Sequence, residues 1–128
     1  MIAREWAWKF AADWIARWNE GNLDRILEHY ASDFEMRSPL IVERMGINAG
    51  ALKGKDAIRP YWQGGIAAEP PLHFELRDVL VGVDSVAIYY HSVTRNRMVA
   101  EVLTFNGDMQ VIRASAHYAD ASSRPGAL

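Results

Sequence analysis

The spacing of the apolar residues changes partway along the chain, and this change constrains the fold more than any other feature. Trp6, Phe10, Trp14 and Trp18 recur at every fourth residue, which predicts an amphipathic helix over residues 3–20. After residue 72 the chain alternates between apolar and polar residues, in segments rich in β-branched and aromatic side chains. Helices followed by hairpins indicate an α+β fold, in which helices cover one face of an antiparallel sheet.

Cap and turn residues divide the first half further. Gly21 is typical of a helix end, and Asn22 is typical of the N-cap of a second helix whose buried stripe includes Tyr30. A third helix is predicted over residues 55–63. Between the second and third helices we expect a short strand over 34–38 and an apolar loop over 39–54.

The second half is predicted to be a run of strands joined by short turns. A slip in the alternation near Asp78 predicts a β-bulge. Asn106-Gly107 is a strong signal for a hairpin turn. The strands are expected over 72–83, 86–95, 98–105 and 109–119.

The composition narrows the class of protein. The chain has 128 residues, 50% of them hydrophobic, so we expect one domain over 1–120 and a disordered tail over 121–128. Its 14 basic and 16 acidic residues argue against a nucleic-acid partner. Cysteine is absent, which excludes disulfides and thiolate metal sites. No uncharged run approaches the ~18 residues of a membrane span, so we expect no membrane partner and a cytoplasmic location.

Short motifs occur in a particular order along the chain: WNEGNLD at 18–24, YASD at 30–33, GKDAI at 54–58, FNG at 105–107 and YAD at 118–120. Their order resembles the nuclear transport factor 2-like superfamily, and its SnoaL-like and ketosteroid-isomerase-like branch in particular. The resemblance implies a cone-shaped fold, in which a curved antiparallel sheet and three N-terminal helices enclose a pocket. It implies no single activity, because this fold hosts isomerases, epoxide hydrolases, cyclases, dehydratases and binding modules.

The resemblance to ketosteroid isomerases can be followed residue by residue. It places Trp14 where that family has its oxyanion-binding tyrosine, and Tyr30 and Trp62 where it has supporting aromatic residues. Glu101 matches the protonated acid, four residues before the Phe-Asn-Gly turn. Ser38 takes the position of the general base. This implies that the chain is not a ketosteroid isomerase of the known type.

Glu101 is the candidate catalytic residue on the sequence alone as well. It is the only charged residue inside the predicted strand 98–105, and alternation places it on one face with Val99 and Leu103. If that face lines the pocket, burial favours the neutral acid, which can donate a hydrogen bond or transfer a proton. The alternative is an ion pair with an arginine of a neighbouring strand: Arg95, Arg97 or Arg113.

The other candidates are expected in the pocket wall. An indole there offers an N–H donor, although an aromatic stripe on a helix can equally be core. The predicted pocket residues are Trp14, Trp18, Tyr30, Ser38, Trp62, His91, Leu103 and Tyr118. His91, His117 and Glu101 could form a two-histidine, one-carboxylate site only if they shared a face, and we predict no metal and no cofactor.

Together these residues predict a protein that binds a small apolar compound, cyclic or carbonyl-containing. It either performs cofactor-free acid–base chemistry of the isomerase, cyclase or dehydratase type, or binds without chemistry as an accessory or dimerisation module. Because Ser38 stands where the resembled family has its general base, another carboxylate such as Glu35 could supply that base instead. Ala100, Val102 and Thr104 make the outer face of the sheet small and fairly apolar, which predicts a homodimer through that face.

Overall fold

The computed structural model describes residues 1–119, and helices alternate with strands in their first half. The helices are α1 (Arg4–Glu20), α2 (Leu23–Leu27), α3 (Pro39–Met45) and α4 (Lys55–Ile66). The strands are β1 (Tyr30–Arg37), β2 (Ala51–Lys53), β3 (Phe74–Val81), β4 (Ser85–Ser92), β5 (Arg97–Phe105) and β6 (Val111–Tyr118). The tail predicted over 121–128 lies outside the described residues.

The six strands form one curved, unclosed sheet in the order β2-β1-β6-β5-β4-β3. This confirms the α+β class and the cone-shaped architecture. Neighbouring strands are antiparallel except β1 and β6, which run parallel. A parallel pair is possible there because β1 and β6 are far apart in sequence, so that no hairpin dictates their direction.

The bulge predicted near Asp78 is present, and it lies in β3. The pairing of β3 with β4 shifts between Leu76 and Asp78, and the Asp78 carboxylate accepts a hydrogen bond from the Val79 N–H at 2.8 Å. Bulges bend a strand and increase its twist, which helps the sheet to curl around the helices. At the end of β3 near the helices, Asn19 of α1 bonds both backbone groups of Phe74, accepting at 2.7 Å and donating at 3.0 Å.

Two predictions in the first half are wrong. Tyr30 does not lie on the second helix, because α2 ends at Leu27 and Tyr30 begins β1. The predicted loop over 39–54 contains α3 and β2, so the structure has four helices. Helix α3 forms because Pro39 suits the first turn of a helix and the Ser38 hydroxyl accepts from the Leu40 N–H at 3.1 Å.

The helices bury one face of the sheet, and strand alternation decides which side chains lie there. On β4 the buried residues are Val86, Ile88, Tyr90 and Ser92, and on β5 they are Val99, Glu101, Leu103 and Phe105. We call this the inner face. Within residues 1–119, no helix is both long enough and apolar enough to cross a bilayer.

Candidate functional site

Glu101 is a buried carboxylic acid in the middle of the inner face. Its side chain comes from β5, between the buried Val99 and Leu103, and the residue is 5% exposed. The Tyr90 hydroxyl donates a hydrogen bond to Oε1 of Glu101 at 3.0 Å. The other carboxyl oxygen, Oε2, has no hydrogen-bond partner among residues 1–119. One oxygen is therefore held by the protein, and the other is buried without a partner in the described chain.

Burial raises the pKa of Glu101 from 4.5 to about 7. Removal of the carboxylate from water penalises its charged form, and this effect outweighs the hydrogen bond from Tyr90, which lowers the pKa. No basic side chain contributes to this shift. The carboxyl is thus close to half-protonated at neutral pH, so that it can either accept or donate a proton.

Glu101 lies in the wall of a cavity of about 60 Å³ between the inner face and the helices. Residues of α1, α3, α4 and five strands contribute to it. The aromatic and aliphatic lining consists of Trp18, Met36, Leu40, Tyr61, Trp62, Leu72, Phe74, Tyr90, Val99 and Tyr118. The remaining lining consists of Arg44, Gly65, Ser92, Arg95, Arg97 and Glu101.

Three of the side chains that line this cavity have a buried polar atom without a partner in the described chain. They are the indole Nε1 of Trp18, the Oγ of Ser92 and the Oε2 of Glu101. A buried polar group that lacks a hydrogen bond costs about 1–3 kcal/mol, so such groups are rare unless something else satisfies them. Their presence around one cavity indicates a place for a polar group of a ligand.

Two phenols complete the wall near the helices. Burial raises the pKa of Tyr61, and burial together with the charge of Glu101 raises the pKa of Tyr118 still further. Both hydroxyls therefore stay protonated and act as hydrogen-bond donors. The Tyr61 hydroxyl donates to Oγ of Ser38 at 3.3 Å. The guanidinium of Arg97 lies over the Tyr118 ring, 5.2 Å from its centre.

The structure brings some of the predicted pocket residues together. Glu101, Trp18, Trp62 and Tyr118 all line the cavity. The edges of Trp18 and Trp62 meet in a T-shaped contact with their ring centres 5.1 Å apart. Since Trp18 comes from α1 and Trp62 from α4, this contact also fixes the position of the two helices that close the cavity.

Other predicted pocket residues lie behind the wall. Trp14 and Tyr30 are fully buried, and the Trp14 indole donates to the Tyr30 hydroxyl at 2.9 Å. Leu103 is likewise enclosed in the core. None of the three lines the cavity, so their expected place in the wall is corrected to a supporting layer. The rings of Trp14 and Tyr30 pack in the aromatic cluster between α1 and the sheet, where Trp14 contacts Tyr90 and Tyr30 contacts Phe34.

Ser38 also lies behind the cavity wall and does not line the cavity. Its Oγ accepts from the Leu40 N–H and from the Tyr61 hydroxyl, and the residue is buried. Its hydroxyl is therefore used to begin α3 and to hold a phenol of the wall. A serine hydroxyl is not itself a base near neutral pH, and no basic side chain contacts Ser38 here to activate it as a nucleophile.

The prediction for His91 is wrong. Since Tyr90 and Ser92 face inward, His91 between them lies on the outer face, where its Nε2 is 3.2 Å from Oδ1 of Asn96. Glu35 is also on the outer side of its strand, where it pairs with Arg37 at 2.9 Å. The distance between opposite faces of a sheet keeps both away from Glu101.

His117 is exposed on the outer side of β6, so the three-residue metal site considered from the sequence does not assemble. Within the described part of the chain, no group of three or more histidine, aspartate or glutamate side chains is placed to hold a metal ion.

Sequence reasoning missed Tyr90, Ser92 and Arg44, and it considered Arg95 and Arg97 only as alternative ion-pair partners of Glu101. Tyr90 and Ser92 could have been found, because Val86 and Ile88 continue the same alternation along β4. Arg44 and Arg95 gave no such signal, since they lie outside the strands and approach the cavity only in the folded chain.

Comparison with known proteins agrees with this architecture. Residues 11–119 match the model of the SnoaL-like domain family. A crystal structure of a SnoaL-like protein of unknown function from Burkholderia thailandensis is similar, with a TM-score of 0.89 and 44% identity over 93% of this chain and 98% of that one. No functionally curated protein shows significant similarity to the chain.

Two more distant structures share the fold alone. The epoxide hydrolase/cyclase-like enzyme SalBIII, studied for pyran ring formation in the polyether salinomycin, has a TM-score of 0.67 at 18% identity, over 93% of this chain and 95% of that one. A protein of ketosteroid isomerase-like fold from Catenulispora acidiphila, solved with trimethylamine, has a TM-score of 0.66 at 16% identity, over 87% and 85%. From the family match and the similarity to the Burkholderia protein, the chain belongs to the SnoaL-like domain family.

Proposed function

We propose that the cavity binds a small, largely apolar compound with a carbonyl or hydroxyl group, and that Glu101 transfers a proton to or from it. One observation carries the proposal. The buried Glu101 carboxyl has a free oxygen in a cavity where Ser92 and Trp18 also have polar atoms without partners. A purely structural acid in a core has its oxygens satisfied by the protein itself.

The properties of Glu101 suit acid–base catalysis. A general acid or base is most effective when its pKa lies near the working pH, and the pKa of Glu101 is about 7. The hydrogen bond from Tyr90 holds one oxygen and so orients the other. As a base, the carboxylate would take a proton from the carbon beside a carbonyl and leave an enolate. The neutral acid would then return the proton to another carbon, which completes an isomerisation or assists a ring closure. If the proton goes instead to a hydroxyl on the β-carbon, the C–O bond breaks, water leaves and the enolate electrons form a carbon–carbon double bond.

Ser92 and Trp18 would supply the complementary contact to the substrate oxygen. A hydroxyl and an indole N–H can both donate to an oxygen that gains negative charge. Donors that are already in place and shielded from water stabilise such an oxygen more strongly than water does. The chain's own groups thus suffice for the proton transfer and for the stabilisation of its intermediate.

The size of the cavity limits what enters it. A volume of about 60 Å³ equals that of only a few water molecules, since each takes about 30 Å³ in the liquid. The cavity would therefore receive the reacting end of the substrate. The rest of the substrate would lie toward the exposed side of Arg44 and α3. The fold is compatible with such chemistry, because SalBIII, a cyclase-like enzyme, has the same fold.

Deuterium exchange tests the proposal without knowledge of the natural substrate. Cyclopentanone and cyclohexanone would be incubated with the protein in D₂O, and exchange beside the carbonyl would be followed by NMR. We expect the wild type to accelerate exchange, and Glu101→Gln to reduce the acceleration about 100-fold, as is typical for loss of a general base. Glu35→Gln is the matched control, because it removes an outer-face carboxylate that could have replaced the base.

The same experiment separates catalysis from binding alone. If both ketones bind but Glu101→Gln exchanges them as fast as the wild type, the cavity is a binding site without this chemistry. The position of Ser38 favours this second candidate to a degree, because the base of the ketosteroid isomerase pattern has no counterpart there.

We also propose that the chain forms a homodimer through the outer face of the sheet. Ala100 and Val102 of β5 are partly exposed there, and Tyr89 of β4 is 39% exposed beside Ala100. Apolar side chains on an uncovered sheet face gain stability when a second copy covers them.

A further inference from the structure

Three arginines from separate parts of the chain meet at the same cavity. Arg44 comes from α3, Arg95 from the turn between β4 and β5, and Arg97 from the start of β5. Arg44 is exposed and the other two are partly exposed, whereas Glu101 and Tyr90 are buried. The cavity therefore has a basic mouth and an acidic floor.

No carboxylate of residues 1–119 neutralises these arginines. The ion pairs in this part of the chain use Lys9, Arg17, Arg25, Arg37, Arg59, Arg77 and two histidines instead. Among the described residues, Glu101 is the only acid that lines the cavity, and it is buried. The chain as a whole has a net charge of −2, so the positive charge at the mouth is a local feature. It attracts anions to the mouth of the cavity.

The folded chain holds two of the arginines in position. A Cβ on Gly65 of α4 would lie 3.8 Å from Nη1 of Arg44, which places that guanidinium against the helix that walls the cavity. Its charge also lowers the pKa of Tyr61 and of Tyr118, although burial raises both more strongly. Arg97 lies over the Tyr118 ring, and its Nε donates to the Ala119 carbonyl at 3.3 Å. The terminal nitrogens of Arg97 are not used in that bond.

From this arrangement, and resting on the function proposed above, we infer that the substrate is an amphipathic carboxylic acid, whose carboxylate is bound at the mouth by Arg44, Arg95 and Arg97 while its carbonyl end reaches Glu101. Guanidinium groups bind carboxylates through paired N–H donors. The apolar middle of such a molecule would lie against Trp18, Trp62 and the other aromatic residues of the wall.

Keto acids and their amides test this inference. The wild-type chain would be titrated by calorimetry with 4-oxopentanoate and 6-oxoheptanoate, and with the neutral amide of each. The acid and the amide share the ketone and the apolar body, and they differ only in charge. We expect the acids to bind about tenfold more tightly than the amides, with a preference that weakens as salt is added. Dissociation constants within twofold of each other, or no measurable binding of either acid, would overturn the inference.

Arginine variants locate the effect. Arg44→Gln and Arg95→Gln should each weaken binding of the acids about threefold, and the double variant about tenfold, without weakening binding of the amides. Arg59→Gln is the matched control, since Arg59 lies on α4 but pairs with Asp24 at 2.9 Å, away from the cavity. If Arg59→Gln weakens binding of the acids as much as the mouth variants do, the overall positive charge of the chain, not the mouth, attracts the acids.

Glu101→Gln keeps this inference separate from the proposed function. The variant should lose deuterium exchange of neutral ketones and retain the preference for acids over amides. If the preference is absent while exchange still depends on Glu101, the carboxylate site is wrong and the proton-transfer role stands. If the preference is present while exchange is unaffected by Glu101→Gln, the carboxylate site stands and the proton-transfer role of Glu101 is wrong.

Discussion

The hydroxyl of Tyr90 donates to Oε1 of Glu101 at 3.0 Å, from one strand to the next on the buried face of the sheet. Burial and the neighbouring Glu101 raise the pKa of Tyr90 well above its ordinary value, so the phenol remains a donor. The bond fixes the orientation of the carboxyl but occupies only one of its oxygens. The acid is therefore positioned by the protein, while its second oxygen has no partner among residues 1–119.

The ionisation of Glu101 should make stability depend on pH. The folded-state pKa of about 7 is above the value of 4.5 for an unperturbed glutamate, so the folded chain holds the proton more tightly between these values. Stability from the neutral acid is complete below pH 4.5 and is lost as the pH rises through about 7. The expected loss is about 3 kcal/mol of unfolding free energy.

Urea denaturation of the wild type and Glu101→Gln over this pH range measures that loss. The difference between the two unfolding free energies should shift by about 3 kcal/mol in favour of the variant as the pH increases. His29, whose pKa is lowered chiefly by burial, affects both proteins alike and cancels in the difference. Parallel curves for the two proteins would contradict the raised pKa.

Removal of the Tyr90 hydroxyl should raise the pKa of Glu101 beyond about 7, because the hydrogen bond stabilises the charged carboxylate. The pKa of Glu101 can be followed directly by NMR of its carboxyl carbon in Tyr90→Phe. Tyr89→Phe is the control, since Tyr89 is the adjacent residue on the opposite face. An unchanged or lower pKa in Tyr90→Phe would contradict this role of the hydroxyl.

The buried pair of Trp14 and Tyr30 should stabilise the fold rather than bind ligand. Trp14→Phe removes the donor to the Tyr30 hydroxyl and leaves space in the core, so we expect a loss of about 2–4 kcal/mol in urea denaturation. Trp8→Phe, at a residue that is 39% exposed, should cost less than about 0.5 kcal/mol. Ligand contacts at Trp14 would instead appear as weaker ketone binding with little loss of stability.

Ser38→Ala should reduce stability by about 1 kcal/mol, because Ser38 caps α3 and bonds the Tyr61 hydroxyl. Deuterium exchange of ketones should continue in this variant, since Glu101 and the residues with free polar atoms are unaltered. Loss of exchange with stability intact would show that Ser38 takes part in the chemistry after all.

If the proposed dimer forms, one charge introduced on the outer face should change the mass of the particle in solution from dimer to monomer. The wild type should sediment as a dimer at micromolar concentration. Ala100→Arg should sediment as a monomer, because Ala100 lies on the outer face of β5. Ala12→Arg places the same charge at an exposed position of α1 and should leave the dimer intact. A monomeric wild type would refute the proposal.

Several features of the site were predictable within single elements. The four-residue spacing of aromatic residues predicted α1, and with it the buried side that contains Trp18. Alternation along the predicted strand 98–105 placed Glu101 on the same face as Val99 and Leu103, as the structure has it. Such inferences succeed because the period of one helix or strand fixes its own faces.

Relations between elements were less accessible. His91 was expected in the pocket, but its neighbours Tyr90 and Ser92 face inward, so His91 faces outward. The sequence did not reveal this, because the buried face of one strand does not by itself identify the buried face of the next. Helix α3 was missed because a helix of seven residues has little periodicity, and its N-terminus depends on the single cap at Ser38.

The sequence by itself determined the α+β class and the placement of Glu101 on one face of its strand with the apolar Val99 and Leu103, since these follow from local periodicity and composition. Only the tertiary structure decided that Trp18 lines the cavity while Trp14 lies behind it, and that Arg44 and Arg95 reach the cavity from distant positions. The raised pKa of Glu101 also belongs to the tertiary structure, because desolvation depends on every group that packs around the carboxyl.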